Sequence, residues 1–243
     1  MEKVLVVAAH PDDEALGCGG TMALHADTGD IVQVVFLADG LGARDRRKIE
    51  KREILKRQTA AIRASKILGA TTPLFLAFPD NQLDTVPLLS VIKEIETIAA
   101  KFKPTIVYTH HAGDLNVDHR ICHESVMTAF RPVPGQRVKS IYAFEVLSST
   151  NWSSSTALKT FIPNRFCDIT IPMKAKINAL KEYDSELRQY PHARSIEATT
   201  ILAQYRGASV GFHMAEAFFV ERQLLDFANH IPSSVKKRSR APR

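Results

Sequence analysis

The sequence predicts an α/β domain built on a mostly parallel sheet with helices on both faces. Three observations carry this. Five apolar runs rich in β-branched residues recur, at 4–9, 31–38, 73–78, 105–110 and 140–147. Segments with helical spacing separate the first four. At 243 residues, 45% of them hydrophobic and 24% charged, the chain suits one large domain with a sizeable core and does not require a second.

The elements follow in order. VLVVAA (4–9) reads as the first strand, and Pro11 restricts its neighbours so that a strand-to-helix turn follows. IVQVVFLA (31–38) and PLFLAF (73–78) are the next strands, separated by a helical pattern over 46–68 that closes at Leu68 and Gly69. In 87–102, Leu88, Val91, Ile92, Ile95 and Ile98 form one apolar stripe, the mark of a helix lying on a sheet. TIVYTH (105–110) and SIYAFEVL (140–147) complete the strands, and helical patterns return at 119–130, 172–188 and 194–206. The segment 148–171, which contains SSTNWSSST, reads as a long surface loop. Residues 1–230 are expected to form the domain and 231–243 a disordered basic tail.

Bulk properties exclude several classes. The net charge of +6 suggests nucleic acid, but Lys236, Lys237, Arg238, Arg240 and Arg243 supply all but one of those charges from the tail, so no nucleic-acid partner is expected. No apolar stretch approaches the ~20 residues of a membrane helix. The opening apolar run is too short for a signal peptide. Cys18, Cys122 and Cys167 are odd in number and widely spaced, which fits reduced thiols and a cytoplasmic location.

In an open α/β sheet, ligands gather beyond the carboxyl ends of the strands. His10, Asp39, Asp80 and His110 fall just past the first four strands. Two clusters stand out there. His10-Pro11-Asp12-Asp13-Glu14 crowds three acids and a histidine into five positions. HHAGDLNVDHRICH (110–123) leaves the fourth strand, crosses a loop and enters a helix near Asp118, with His119 and His123 one turn apart. Either cluster alone is as readily structural as functional, because an Asp pair caps helices and a core histidine needs only a hydrogen bond. Together they make a His/Asp/His set suited to zinc with an open position, beside a carboxylate able to activate water.

AHPDDE after a first strand, followed later by Gly-Asp-x-Asn-x-Asp-His, resembles the PIG-L/LmbE-like zinc-dependent N-deacetylases. LADG (37–40), FPDNQLDT (78–85), YTHHAGDLNVDHR (108–120), YAFEVLSST (142–150) and RSIEA…YRG…G…AEAF (194–218) extend the likeness to about residue 222. The resemblance implies a Rossmann-like domain, one divalent metal, usually zinc, and removal of N-acetyl from an amino sugar or its conjugate. Members of that family often assemble, so a homo-oligomer is among the expected states. Carried over by position, His10, Asp13 and His119 would hold the metal, Asp12 would be the general base, and Asp118 would orient or tune the site. Where many members place a histidine three residues before the ligand histidine, this chain has Asn116. An amide can donate a hydrogen bond to an oxyanion but cannot transfer a proton at neutral pH, which leaves Asp12 to serve both proton steps.

Further positions have weaker matches. Arg57 and Asp80 loosely match substrate contacts of relatives. The cluster His192, Arg194 and Ser195, with Arg206 and His213, has look-alikes there that would complete the substrate pocket. Of the strand-end pair His110 and His111, ordinarily structural, His111 is the one assigned to the substrate side. A Pro-Asp-Asn turn explains Asp80 equally well. Glu14 suits the first turn of a helix, and His123 reads as a buried neighbour rather than a fourth ligand. The stretch 44–57 holds eight basic and three acidic residues; a solvated helix face is the ordinary reading, and a phosphate-attracting rim the alternative. Two competing functions were weighed. A dinucleotide oxidoreductase would want GxGxxG where this chain has EALGCGG behind three acids that repel a pyrophosphate. A metal- or sugar-binding module without catalysis is disfavoured by Asp12 standing beside the three ligands.

Overall fold

The computed structural model describes residues 1–40, 51–154, 156 and 160–225. The expected tail, 231–243, and the basic residues 44–50 lie outside them. Five strands and their crossovers come first: β1 (Lys3–Ala8), α1 (Asp13–Asp27), β2 (Ile31–Ala38), α2 (Lys51–Ile67), β3 (Leu74–Phe78), α3 (Leu88–Phe102), β4 (Ile106–His110), α4 (Val117–Ala129) and β5 (Ser140–Phe144). They are followed by β6 (Arg165–Asp168), α5 (Met173–Glu182), α6 (Ile196–Ala208) and β7 (Ala215–Gln223). The seven strands run in the order β3-β2-β1-β4-β5-β7-β6. The first five pair in parallel, and β7 pairs antiparallel with both β5 and β6.

Burial on both faces explains why the strand sequences are continuously apolar. In β1, Val4, Val6 and Ala8 join the layer under α1, α2 and α5, with Met22, Ala64, Leu68 and Leu180. Leu5 and Val7, with Ala9 just beyond the strand, join the opposite layer under α3 and α4, with Val91, Ile95, Cys122 and Val126. The chain lays β2 and β3 to one side of β1, then crosses to lay β4 on the other. The order therefore reverses between β1 and β4, whose carboxyl ends open a crevice for ligand.

Two expectations change. The segment 148–171 is not one loop: it contains a 3₁₀ turn (Thr150–Trp152) and the edge strand β6. Four residues interrupted by Arg and Asp carry too little alternation to be read as a strand. β7 also escaped the periodicity reading, and α5 ends at Glu182 rather than near 188.

α1 is broken at Cys18, whose φ of −145° and ψ of 21° leave the helical region. The break frees the Leu16 carbonyl and the Gly20 amide, partners in an unbroken helix. Lys176 Nζ takes the carbonyl at 2.7 Å. Glu216 accepts from Gly20 N at 2.9 Å, Thr21 N at 2.7 Å and Thr21 Oγ1 at 2.6 Å, and pairs with Lys176 at 2.6 Å. A buried ion pair is thus wedged into the helix ladder. Gly17, one residue before the break, lets the helix pack on β5: a Cβ there would lie 2.2 Å from the Phe144 ring.

Candidate metal centre

β1 and β4 deliver the two sequence clusters to the same crevice. Asp13 is the hub. Its Oδ2 lies 3.3 Å from His10 Nδ1, 3.3 Å from His119 Nε2 and 3.5 Å from His110 Nε2. His10, Asp13 and His119 are all buried and form one group able to hold a cation; His10, Asp80 and Asp118 form another among the described residues. The distances separate the two. Donors on a tetrahedral ion with ligand bonds of 2.0–2.1 Å stand about 3.3 Å apart, as Asp13 Oδ2 does from each of the two imidazoles in the first group. Asp80 Oδ1 and Asp118 Oδ2 approach His10 Nε2 at 2.8 and 3.0 Å, which are hydrogen-bond lengths. Asp13 Oδ1 is buried with no hydrogen-bond partner. Two imidazoles, one carboxylate and an orphaned buried oxygen fit a divalent ion.

Each imidazole is oriented from behind. His119 Nδ1 faces Asp114 Oδ1 at 3.2 Å. Asp114 is fixed by Thr150 Oγ1 at 2.5 Å, by Asn116 N at 2.9 Å and by a short bond from Ser149 Oγ. Such a carboxylate sets the tautomer and raises ligand basicity. Sequence reasoning did not single out Asp114; the five-residue step to His119 and two hydroxyls from the 3₁₀ turn are what give it meaning. Asp118 reaches His10 rather than His119, and accepts from Asn81 N at 2.6 Å and Leu83 N at 3.0 Å. Successive helical residues diverge by ~100°, so Asp118 cannot serve the ring beside it. Asn116 caps α4, its Oδ1 accepting from Asp118 N at 2.8 Å, and its Nδ2 donates to Asn81 Oδ1 at 3.2 Å.

Charge sets the protonation. Burial works against ionisation of Asp13, yet the charges of His119 and His110 hold its pKa well below the usual range. Burial opposes the charged form of His119 too, but Asp13 and the bond to Asp114 push it up to about 9. Burial also opposes protonation of His10, which hydrogen bonds to Asp118, Asp13 and Asp80 raise well above normal. Burial, with His119 close by, lowers His110; its Nε2 accepts the Ala9 amide at 2.9 Å.

Asp12 sits at the mouth in the left-handed region, with φ 113°. Its amide donates to Glu14 Oε2 at 3.0 Å, and Glu14 accepts from Tyr183 Oη at 2.6 Å. Burial carries the Glu14 pKa to about 8. Arg194 Nη1 bonds Asp12 Oδ2 at 2.9 Å, while Oδ1 accepts no hydrogen bond and stands 3.7 Å from Arg57 Nη2. Burial raises the Asp12 pKa, with Arg194 and Arg57 acting against it.

The remaining positions divide by exposure. Arg57 and Asp80 are buried and engaged inside the protein, Arg57 with the Pro11 carbonyl at 2.8 Å and Glu186 at 2.5 Å. His111 is buried with its ring edge-on to Phe161. Arg194 is half-buried, and His192 is exposed with its Nδ1 accepting the Arg194 amide. His123 pairs with Glu221 at 3.0 Å, away from the cluster, and Arg206 makes a two-pronged bond to Glu145.

Fold and site together define a class: α/β proteins with a buried His/Asp/His cluster able to hold a cation at the switch point of a parallel sheet. Residues 5–130, just over half the chain, match the PIG-L family, described as GlcNAc-PI de-N-acetylase, and the chain belongs to that family. The uncharacterized deacetylase YaiS of Escherichia coli is 29% identical over 187 residues, covering 75% of this chain and 90% of that protein. Diacetylchitobiose deacetylase of Thermococcus kodakarensis is 28% identical over 236 residues, covering 89% and 82%. The solved N,N′-diacetylchitobiose deacetylase of Pyrococcus horikoshii superposes with a TM-score of 0.72 at 22% identity, over 97% of this chain and 88% of that one, a likeness of fold. Among the described residues no helix is long and apolar enough to cross a membrane.

Proposed function

We propose that the protein is a zinc-dependent hydrolase that removes acetyl from an N-acetylated amino sugar or sugar conjugate. The observation that carries this is the buried His10–Asp13–His119 donor set, both imidazoles 3.3 Å from Asp13 Oδ2. The buried carboxylate of Asp12 is adjacent in the chain, its Oδ1 accepting no hydrogen bond and 3.7 Å from Arg57. Zinc held by these three residues would acidify a water and polarise the amide carbonyl. Asp12 Oδ1 takes the proton of the attacking water and returns it to the departing amine, giving acetate and a free amino sugar. A pKa lifted by burial suits a carboxylate to both transfers. Arg194 on Oδ2 leaves Oδ1 as the working oxygen. Asp114 and Asp118 keep the two imidazoles in register. Asn116 offers its amide to the oxyanion, exchanging the long contact to Asn81 for a charge-assisted one. Arg194, His192 and His111 are the residues assigned to the sugar; Arg57 and Asp80 act on it through Asp12 and His10.

The test is acetate release from N-acetylglucosamine and N,N′-diacetylchitobiose. Turnover is expected to vanish with a chelator and return with zinc. Acetate release that survives complete metal removal would refute the reading.

A further inference from the structure

The chain has one tryptophan, and it is not in the core: Trp152 is 53% exposed. It ends the 3₁₀ turn whose first residue, Thr150, bonds Asp114, the carboxylate behind His119. The turn is pinned on three sides. Ser153 Oγ donates to the Gly113 carbonyl at 2.6 Å, Ser148 N donates to Asn151 Oδ1 at 2.9 Å, and Ser149 Oγ bonds Asp114. Across the mouth, the His192 ring meets the indole at 5.9 Å and 76°. His192 is tied through the Arg194 amide to the arginine that grips Asp12, and Arg194 Nε returns to Ser148 Oγ at 2.7 Å. The turn that carries the indole is therefore tied to Asp114, behind His119, and its ring neighbour His192 is tied through Arg194 to Asp12, while half the residue faces solvent. A large aromatic exposed on a turn anchored to a site has the properties of a binding anchor.

We infer that Trp152, braced by His192, is a stacking platform for a second pyranose ring, attached to the ring that carries the reacting N-acetyl group. A pyranose presents a flat face of C–H groups that an indole covers at little entropic cost, because a tryptophan has only two side-chain torsions to order. The substrate class is thereby narrowed to at least a disaccharide or a glycoside of similar breadth. This inference rests on the deacetylase reading.

The single tryptophan makes the test direct. In zinc-loaded protein carrying Asp12→Asn, which holds sugar without turning it over, N,N′-diacetylchitobiose is expected to shift the tryptophan emission saturably, and N-acetylglucosamine to leave it in place. In the catalytically intact background, Trp152→Ala is expected to raise KM for the disaccharide about fivefold relative to KM for the monosaccharide, an aromatic-stacking effect that falls on KM rather than kcat. Trp152→Phe should recover most of it. Equal changes in both KM values, a loss confined to kcat, or disaccharide turnover with unmoved emission would overturn the platform. Absence of acetate from both sugars would instead overturn the deacetylase reading, while the emission titration still reports whether the second ring meets Trp152.

Discussion

Two buried clusters of charge lie along α1 and follow opposite rules. At the break in the helix, Lys176 and Glu216 satisfy each other and also the backbone groups that the break releases. At the first turn, Asp12, Asp13, Glu14, Asp80, Asp114 and Asp118 are all buried around three histidines and two arginines, and oxygens of Asp12 and Asp13 accept no hydrogen bond. A closed ion pair builds structure; a surplus of carboxylate with open valences is suited to hold a cation and move a proton. The difference separates a buried charge whose partners are all inside the protein from one that leaves an oxygen open.

The comparison breaks most visibly at Asp12. Asp12→Asn keeps the bond from Arg194 and removes the proton acceptor. Acetate release should fall 10²–10⁴-fold while Tm does not drop; a Tm loss equal to that of a core variant would make Asp12 structural. Glu216→Ala should do the reverse. It strands Lys176 and the Gly20 and Thr21 donors, costing about 3–5 kcal/mol of folding stability in denaturant titrations, whereas a change below about 1 kcal/mol would show the wedge to be incidental. Asp114→Asn should weaken zinc 10–100-fold by competition with a chelating dye and leave the fold in place.

The smallest effect is in pH. The raised pKa of His119 means that its protonated form supports the folded protein below the unfolded value near 6.5 and that this support is lost as pH rises through about 9. The proposed zinc would have to displace this proton and that of His10, whose pKa is raised too, so apparent zinc affinity should climb at least tenfold per pH unit across that window. A flat profile would show that His119 is already neutral.

Much of this was legible in the sequence because the chemistry lies in two contiguous stretches. His10, Asp12 and Asp13 follow the first strand at once, and His119 opens a helix after the fourth, so strand order alone brings them together. Asp114 was hidden because its role depends on Ser149 and Thr150, hydroxyls that look like ordinary loop residues until the 3₁₀ turn folds over the site. Asp118 sits beside His119 in the chain but serves His10, a pairing that helix geometry imposes and proximity in sequence obscures. β6 and β7 pair through contacts fifty residues apart, for which local periodicity offers no signal.

The left-handed backbone at Asp12 has a consequence for anyone who would evolve or engineer this protein. A φ of 113° is strained for any residue with a Cβ and free for glycine. A screen that rewards heat resistance alone would therefore be drawn to glycine at position 12. The clones it enriched would lack the carboxylate proposed as the general base.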